Sequence, residues 1–254
     1  IFMNLETEEI GNAFNQMLGR MKVLDDSRQE FVSNVSHELK TPLASMKVLA
    51  DSLLAQEDVP AELYREFMGD IAEEIDRENK IITDLLSLVK MTRTSADLNI
   101  ESVDINGLLE LMMKRLGPIA ARANVKLIFE SRRKVTAEID EVKLMLAFSN
   151  LVENGIKYNV DDGWVKVVLD ADHQFFTMEI SDSGIGMPAE ALDHIYERFY
   201  RVDKSHSREI GGTGLGLAIT KSAILMHRGS ITVSSEEGKG TTFVVKIPIT
   251  YIAQ

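Results

Sequence analysis

Phe31-Val32-Ser33-Asn34-Val35-Ser36-His37-Glu38-Leu39-Lys40-Thr41-Pro42-Leu43 is the stretch that decides how the first part of this chain folds. Phe31, Val35, Leu39, Leu43 and Met46 recur at the three-to-four residue spacing of an amphipathic helix. His37 lies off that stripe and is expected to face water. Residues three and four apart share a helix face, so Lys40 and Thr41 are its neighbours, with Glu38 about 100° round. Pro42 has no amide hydrogen and crowds the carbonyl of Glu38, so a bend beside the histidine is expected. A single exposed histidine on a helix is ordinarily just a solvated side chain. The second half of the chain gives this one a use.

Upstream, Ile10, Phe14, Met17, Met21, Leu24, Phe31 and Val35 follow alternating steps of four and three, broken only at Arg28. That is a coiled-coil seam, which requires a partner helix, most simply a second copy of the same one. It runs without Pro into the His37 segment, so one continuous helix is expected. Downstream, Asp58-Val59-Pro60 reads as a turn. Tyr64, Phe67, Ile71, Ile75, Ile82, Leu85 and Val89 then form the stripe of a second helix. Two such helices make a helical hairpin, and two hairpins a four-helix bundle.

From Thr94 to Leu98 the pattern stops, and a domain boundary is expected there. Beyond it, 106–123 and 140–158 read as helices, with Asp140 an N-cap. Residues 125–129, 164–171, 175–182, 230–235 and 241–247 read as strands. With further helices at 189–199 and 215–227, this predicts a mixed sheet with helices on one face.

Composition excludes several classes. The chain has 254 residues, enough for two domains, and a net charge of −12, which repels nucleic acid. It contains no cysteine, so disulfides, thiolate nucleophiles and cysteine-ligated metals are ruled out. Its five histidines form no His-x-x-x-His pair, which disfavours zinc. No run approaches a membrane span of roughly 20 apolar residues, and no signal peptide is expected within this stretch. The chain begins at Ile1, so a fragment of something longer is expected.

Four clusters in the second half converge on one type of ligand. Asn150, Asn154 and Lys157, followed by Tyr158, lie on one helix face. Neutral amide oxygens there suit Mg²⁺, and the cation suits phosphate. Asp182-Ser183-Gly184-Ile185-Gly186 ends an apolar strand with a carboxylate and closely approaching backbone. An ionised carboxylate only accepts hydrogen bonds, so it would take an adenine amino group and reject guanine's carbonyl. Gly211-Gly212-Thr213-Gly214-Leu215-Gly216 leads into a helix whose positive end favours an anion. Without a following Lys-Ser/Thr it is no P-loop. Gly238 to Phe243, containing Thr241, is a turn into the last strand. Glu197-Arg198-Phe199-Tyr200-Arg201, with the polar residues to Ile210, reads as a mobile lid whose cations reach phosphate.

Ser36-His37-Glu38-Leu39-Lys40-Thr41-Pro42-Leu43, the Asn150–Asn154 cluster, Asp182-x-Gly-x-Gly, Glu197-Arg-Phe-Tyr-Arg201 and Gly212-x-Gly-x-Gly occur here in the order found in bacterial sensor histidine kinases. The resemblance covers about Ser27 to Pro248. Ala13-Phe14-Asn15-Gln16-Met17 also resembles the last helix of a HAMP signalling module. The resemblance implies a HAMP remnant and signalling helix over 1–26, and a dimerisation and histidine-phosphotransfer domain over 27–95. Residues 96–254 would be a Bergerat-type ATP-binding α/β sandwich.

It further implies His37 as phosphoacceptor, Asn154 as main Mg²⁺ ligand with Asn150 assisting, and Asp182 as adenine reader. Lys157, Tyr158 and Arg201 would contact phosphates. Gly184, Gly186, Gly212, Thr213, Gly214, Leu215, Gly216 and Thr241 complete the nucleotide-binding set. Glu38 would take up the imidazole's growing charge, and Thr41 would hold a water for removing phosphate from a response regulator. Gly155, where Ala is commoner, should leave the site working. The expected partners are a second copy, through the bundle, and a response-regulator receiver domain. The expected location is the cytoplasmic side of a membrane receptor. The rivals are an ATP-driven clamp of the wider Bergerat superfamily and a scaffold without catalysis. The histidine segment weighs against the first, and the intact nucleotide clusters against the second.

Overall fold

The computed structural model describes residues 2–56, 59–91, 98–202 and 212–251. Asp58, most of the boundary tract after Thr94, the lid from Asp203 to Ile210, and Gly211 lie outside the described residues. The chain divides into two compact units, Ile1–Ile81 and Ile82–Gln254.

Helix α1 (Phe2–Leu54) is continuous, carrying the seam and the His37 segment on one element with Pro42 inside it. It ends at Leu54, earlier than the turn at Asp58-Val59-Pro60, and Ala55 N–H donates to Asp51 O at 3.0 Å. Helix α2 (Ala61–Met91) follows. The seam residues Ile10, Phe14, Met17, Met21 and Leu24 are all more than half exposed. Among the described residues, no helix is long and apolar enough to cross a membrane.

Helix α2 corrects the single stripe expected for it. Ile81 and Leu88 are buried, and Leu63, Phe67, Ile71 and Leu85 are half-buried. Tyr64, Met68, Ile75, Ile82, Leu86 and Val89 instead remain 42–56% exposed. At 100° per residue, these two sets are adjacent stripes roughly a quarter-turn apart. The expected stripe mixes residues from both. One apolar face is thus sheltered within the chain, and a second is left open.

In the second unit, β1 (Glu101–Asp104) pairs antiparallel with β3 (Thr136–Ile139). The sequence pattern predicts neither strand, because four residues are too few to show a period. Strands β2 (Lys126–Ser131), β4 (Trp164–Ala171), β5 (Phe175–Asp182), β6 (Ser230–Glu236) and β7 (Gly240–Pro248) form the main sheet, in the order β2-β4-β5-β7-β6. The β2–β4 pair is parallel and the rest antiparallel, so the sheet is mixed as expected. Helix α4 (Glu141–Lys157) lies over β4 and β5, flanked by α3 (Ile105–Arg122) on β2 and α5 (Gly216–Met226) on β6. Leu144, Phe148 and Leu151 of α4 and Val167, Leu169 and Met178 of the sheet lie in the core, each at most 1% exposed. Burying a side chain such as Phe148 contributes about 2–3 kcal/mol.

Two polar devices align the helices that carry the site. Asp140 caps α4 by accepting from Lys143 N–H at 3.0 Å, and Lys143 Nζ lies 2.6 Å from its other oxygen. Burial opposes charge on Asp140, but these bonds and that from Asn99 N–H outweigh it and hold the carboxyl below its ordinary value. His227, at the end of α5, is 2% exposed. Its Nε2 accepts the Asp140 N–H at 2.9 Å, so its Nδ1 donates to Ala223 O at 2.7 Å. Burial holds this imidazole below its ordinary pKa and hence neutral.

The helix expected over 189–199 is instead a 3₁₀ turn, Ala189–Ala191, followed by irregular turns. Phe199 sits at φ +65° because its N–H is directed at Gly214 O, 2.8 Å away. That tertiary bond overrides the local helical period.

Candidate functional site

The first group of candidate residues lies on α1. His37 is exposed, as its position off the stripe implies, and Thr41 beside it is exposed too. Thr41 Oγ1 donates to His37 O at 3.0 Å, closing the gap of one helical turn between them. Pro42 is buried below them and offers no N–H to the carbonyl of Glu38. Glu38 is half-buried and engaged by a neighbour. This group belongs to the first unit.

The second group is assembled where the C-terminal half of α4, the end of β5, the start of β7 and the start of α5 come together. The register sets Val165 opposite Asp182 and Ser181 opposite Thr242. Asp182 therefore emerges at the sheet end where β7 begins. Its Oδ1 accepts from Gly184 N–H at 2.9 Å and from Thr241 N–H at 3.1 Å. With Oδ1 occupied twice, the orientation of Oδ2 is set, leaving it as the acceptor for a ligand. Burial raises the pKa of this carboxyl above its ordinary value despite both amides.

Gly186 is required by its backbone. Its φ is +66°, and a Cβ there would collide with Glu236 O. The turn also donates Ile185 N–H to Tyr158 O at 2.9 Å, joining the end of α4 to Asp182 and its neighbours. A Cβ on Gly155 would come within 3.1 Å of Val165 and 3.4 Å of the Asp182 Cβ. An alanine there would thus need Val165 to give by a few tenths of an ångström.

At the opposite end, Asn150 Nδ2 donates to Gly216 O at 3.2 Å, and no hydrogen bond engages its Oδ1 among the described residues. Asn154, one turn on, makes no side-chain hydrogen bond among the described residues. The described residues contain no group of three His, Cys, Asp or Glu able to hold a metal. Two amide oxygens beside a phosphate fit Mg²⁺, which takes few protein ligands and completes its shell with substrate oxygens and water. Helix α5 starts at Gly216 without a side-chain cap. Its first amides are therefore open to an anion. Thr213 Oγ1 accepts from Leu215 N–H at 3.3 Å within this turn. Gly214, at φ +71°, lies against the backbone of Phe199 with no room for a Cβ, so the two bases of the expected lid meet there. Lys157 and Arg201 are each engaged by neighbours.

Residues 27–94 match the His Kinase A (phospho-acceptor) domain, and residues 139–251 match the family described as histidine kinase-, DNA gyrase B-, and HSP90-like ATPase. The chain is 37% identical over 227 residues to a sensor protein kinase WalK of Staphylococcus saprophyticus, covering 89% of this chain. It spans only 37% of that relative's length. The chain joins the two domains of a histidine kinase. Its fold also matches the Acinetobacter baumannii histidine kinase AdeS, at TM-score 0.66 and 21% identity, over 84% of this chain and 98% of that one. Histidine kinase ThkA, solved in complex with response regulator protein TrrA, matches at TM-score 0.71 and 21% identity, over 87% of this chain and 61% of that one.

Three polar side chains of this histidine kinase acquire a role only through the fold. Ser235 accepts from Met187 N–H at 2.9 Å and donates to Gly240 O at 3.0 Å, fastening the Gly184–Gly186 turn to the β6–β7 hairpin. Asn159 and Ser183 bond to each other at 3.0 Å. All three work through partners distant in sequence. A sequence signal exists only for Ser183, as part of the Asp182 cluster.

Proposed function

We propose that this sensor histidine kinase phosphorylates His37 from ATP and passes the phosphoryl group to an aspartate of a response-regulator receiver domain. The observation that carries the reading is the clamped carboxylate of Asp182 at one end of the site and an open helix terminus at the other, in a chain that also presents an exposed imidazole at position 37. The boundaries of the division of labour are residues 27–95 for dimerisation and phosphotransfer and 96–254 for ATP binding.

Asp182 Oδ2 accepts the adenine amino group, while the amides at the start of α5, with Lys157, Tyr158 and Arg201, hold phosphates. Asn154 and Asn150 would hold Mg²⁺, which supplies charge neutralisation on the phosphate chain. One nitrogen of neutral His37 attacks the γ-phosphorus as the bond to the ADP oxygen breaks. Glu38 stabilises the positive charge that grows on the ring. The phosphoramidate then donates to a carboxylate, regenerating neutral histidine. Thr41, on the same face, positions water for the reverse task of clearing the regulator's phosphoryl group.

The open apolar stripe from Tyr64 to Val89 and the exposed seam from Ile10 to Leu24 support a homodimer through a four-helix bundle. The seam's continuity with the His37 segment supports signal input from a HAMP-like module over 1–26, on the cytoplasmic side of a membrane receptor. Membrane fractionation of the full-length product tests that location.

The decisive experiment incubates the purified chain with γ-labelled ATP and Mg²⁺. Label stable to alkali and lost in acid is expected, as a phosphoramidate requires. Absence of label, or label stable to acid, would remove the kinase reading in favour of an ATP-driven clamp or a scaffold.

A further inference from the structure

We infer that Asn159, a residue outside the catalytic and nucleotide-binding sets, is a positioning residue that couples the phosphate-holding end of α4 to the adenine-reading carboxylate of Asp182, acting through Ser183. This rests on the nucleotide-site reading above and adds to it a determinant of base selectivity.

Asn159 follows immediately on the C-cap of α4, after Lys157 and Tyr158. Its amide nitrogen donates to Gly155 O at 2.7 Å and to Trp164 O at 3.0 Å. Its amide oxygen accepts from Ser183 Oγ at 3.0 Å and from its neighbour Val160 N–H at 3.0 Å. Both donors and both acceptor positions are therefore in use. A half-buried side chain saturated in this way holds its partners at fixed separations, since releasing any one leaves a polar group unmatched.

The partners are what give the arrangement a function. Gly155 O lies in the last turn of α4, one residue beyond Asn154. Trp164 opens β4. Ser183 separates Asp182 from Gly184, whose N–H holds Asp182 Oδ1. Ser183 is gripped from its other side too, because Trp164 N–H donates to its Oγ at 2.8 Å and Ser183 N–H donates to Trp164 O at 3.1 Å. Asn159 and the Trp164 backbone thus fix the residue on which the direction of the Asp182 carboxylate turns. The second tie between these segments, Ile185 N–H to Tyr158 O, is backbone only and constrains distance without orienting Ser183. Removing the Asn159 amide leaves Ser183 Oγ held by the Trp164 backbone alone and unties it from Gly155 O in the last turn of α4. The base end and the phosphate end of the site then lose their common reference.

The test measures ATP and GTP affinity, and the autophosphorylation rate at saturating ATP, for Asn159→Ala, Ser183→Ala and the double variant. For Asn159→Ala, ATP affinity is expected to fall about tenfold, and the preference for ATP over GTP to fall by a similar factor. The rate at saturating ATP should stay within about twofold, the mark of lost uniform binding. Ser183→Ala, which removes a single oxygen, should reproduce the loss of selectivity, and the double variant should be no worse than Asn159→Ala alone. Unchanged selectivity in both single variants, or fully additive losses in the double variant, overturns the inference. Asp182→Ala separates this from the wider reading. If it abolishes ATP binding while Asn159→Ala binds normally, only the positioning role fails. If Asp182→Ala also binds normally, the nucleotide site itself is wrong and the inference falls with it.

Discussion

The two units of this chain hold their functional groups in opposite ways. In the helical unit, His37 and Thr41 stand on an exposed helix face beside the exposed Lys40. In the α/β unit, Asp182 is half-buried, both amides on its Oδ1 come from backbone, and its supporting side chains are satisfied by one another. On the proposed function, the difference teaches which kind of partner each unit is built for. A nucleophile that must meet several macromolecules in turn has to project from a regular surface. A group that must tell adenine from guanine has to be immobilised, because selectivity comes from the cost of an unmatched polar atom.

The comparison breaks at once if the projecting group is not the nucleophile. His37→Gln is expected to lower autophosphorylation by about 10³-fold or more, as removal of an attacking group does. ATP affinity should be retained, because the nucleotide residues lie in the other unit. Radiolabel persisting on another residue would refute the assignment. The converse change, Asp182→Ala, should weaken ATP binding by about 100-fold, measured by calorimetry, and leave helix content unaltered. Burial raises this carboxyl's pKa, so wild-type ATP affinity should also fall on acidification at a higher pH than for an ordinary aspartate. A pH-independent affinity across the acid range would count against ionised Asp182 as the reader.

The open stripe sharpens the contrast further. Ile75→Glu with Ile82→Glu places four charges in a two-fold bundle interface, and should raise the dimer dissociation constant by about 10³-fold in sedimentation experiments. An unaffected dimer would mean that the stripe is not the interface. Thr41→Ala should reduce regulator dephosphorylation by about tenfold while His37 labelling persists. Equal loss of both activities would argue against a separate role for the hydroxyl.

The smallest effect concerns His227. Its folded pKa lies below its ordinary value of about 6.5, so the unfolded chain binds the proton more tightly. Stability contributed by the neutral ring is present above pH 6.5 and is lost as pH falls below it. Thermal stability is therefore expected to fall as the pH is lowered below this range. His227→Gln should flatten that dependence in thermal melts. Identical slopes for both proteins would remove the role of the neutral ring in joining Asp140 to Ala223.

Much of this architecture is legible in the sequence, for identifiable reasons. Asp140 as N-cap, and β4 and β5 to the residue, follow from short-range preferences that tertiary contacts leave intact. The clusters around Asn150, Asp182 and Gly214 can be read because each is local and its chemistry constrained. On α2, periodicity predicts one stripe where there are two. Helical spacing reports that residues are apolar, and cannot say which of two neighbouring faces the chain itself covers. The composition after Pro188 permits a helix, whereas Phe199 obeys a hydrogen bond to Gly214.

By itself the sequence determined the longer helices, the strands of the main sheet and the chemistry available at each cluster, since these depend on residue type and spacing within a few turns. Only the tertiary structure decided which oxygen of Asp182 is held, that His227 is a buried neutral link between α4 and α5, and that Asn159 and Ser235 fasten the turns around the site. Those facts depend on groups brought within 3 Å from positions up to 87 residues apart, and no local pattern encodes such a distance.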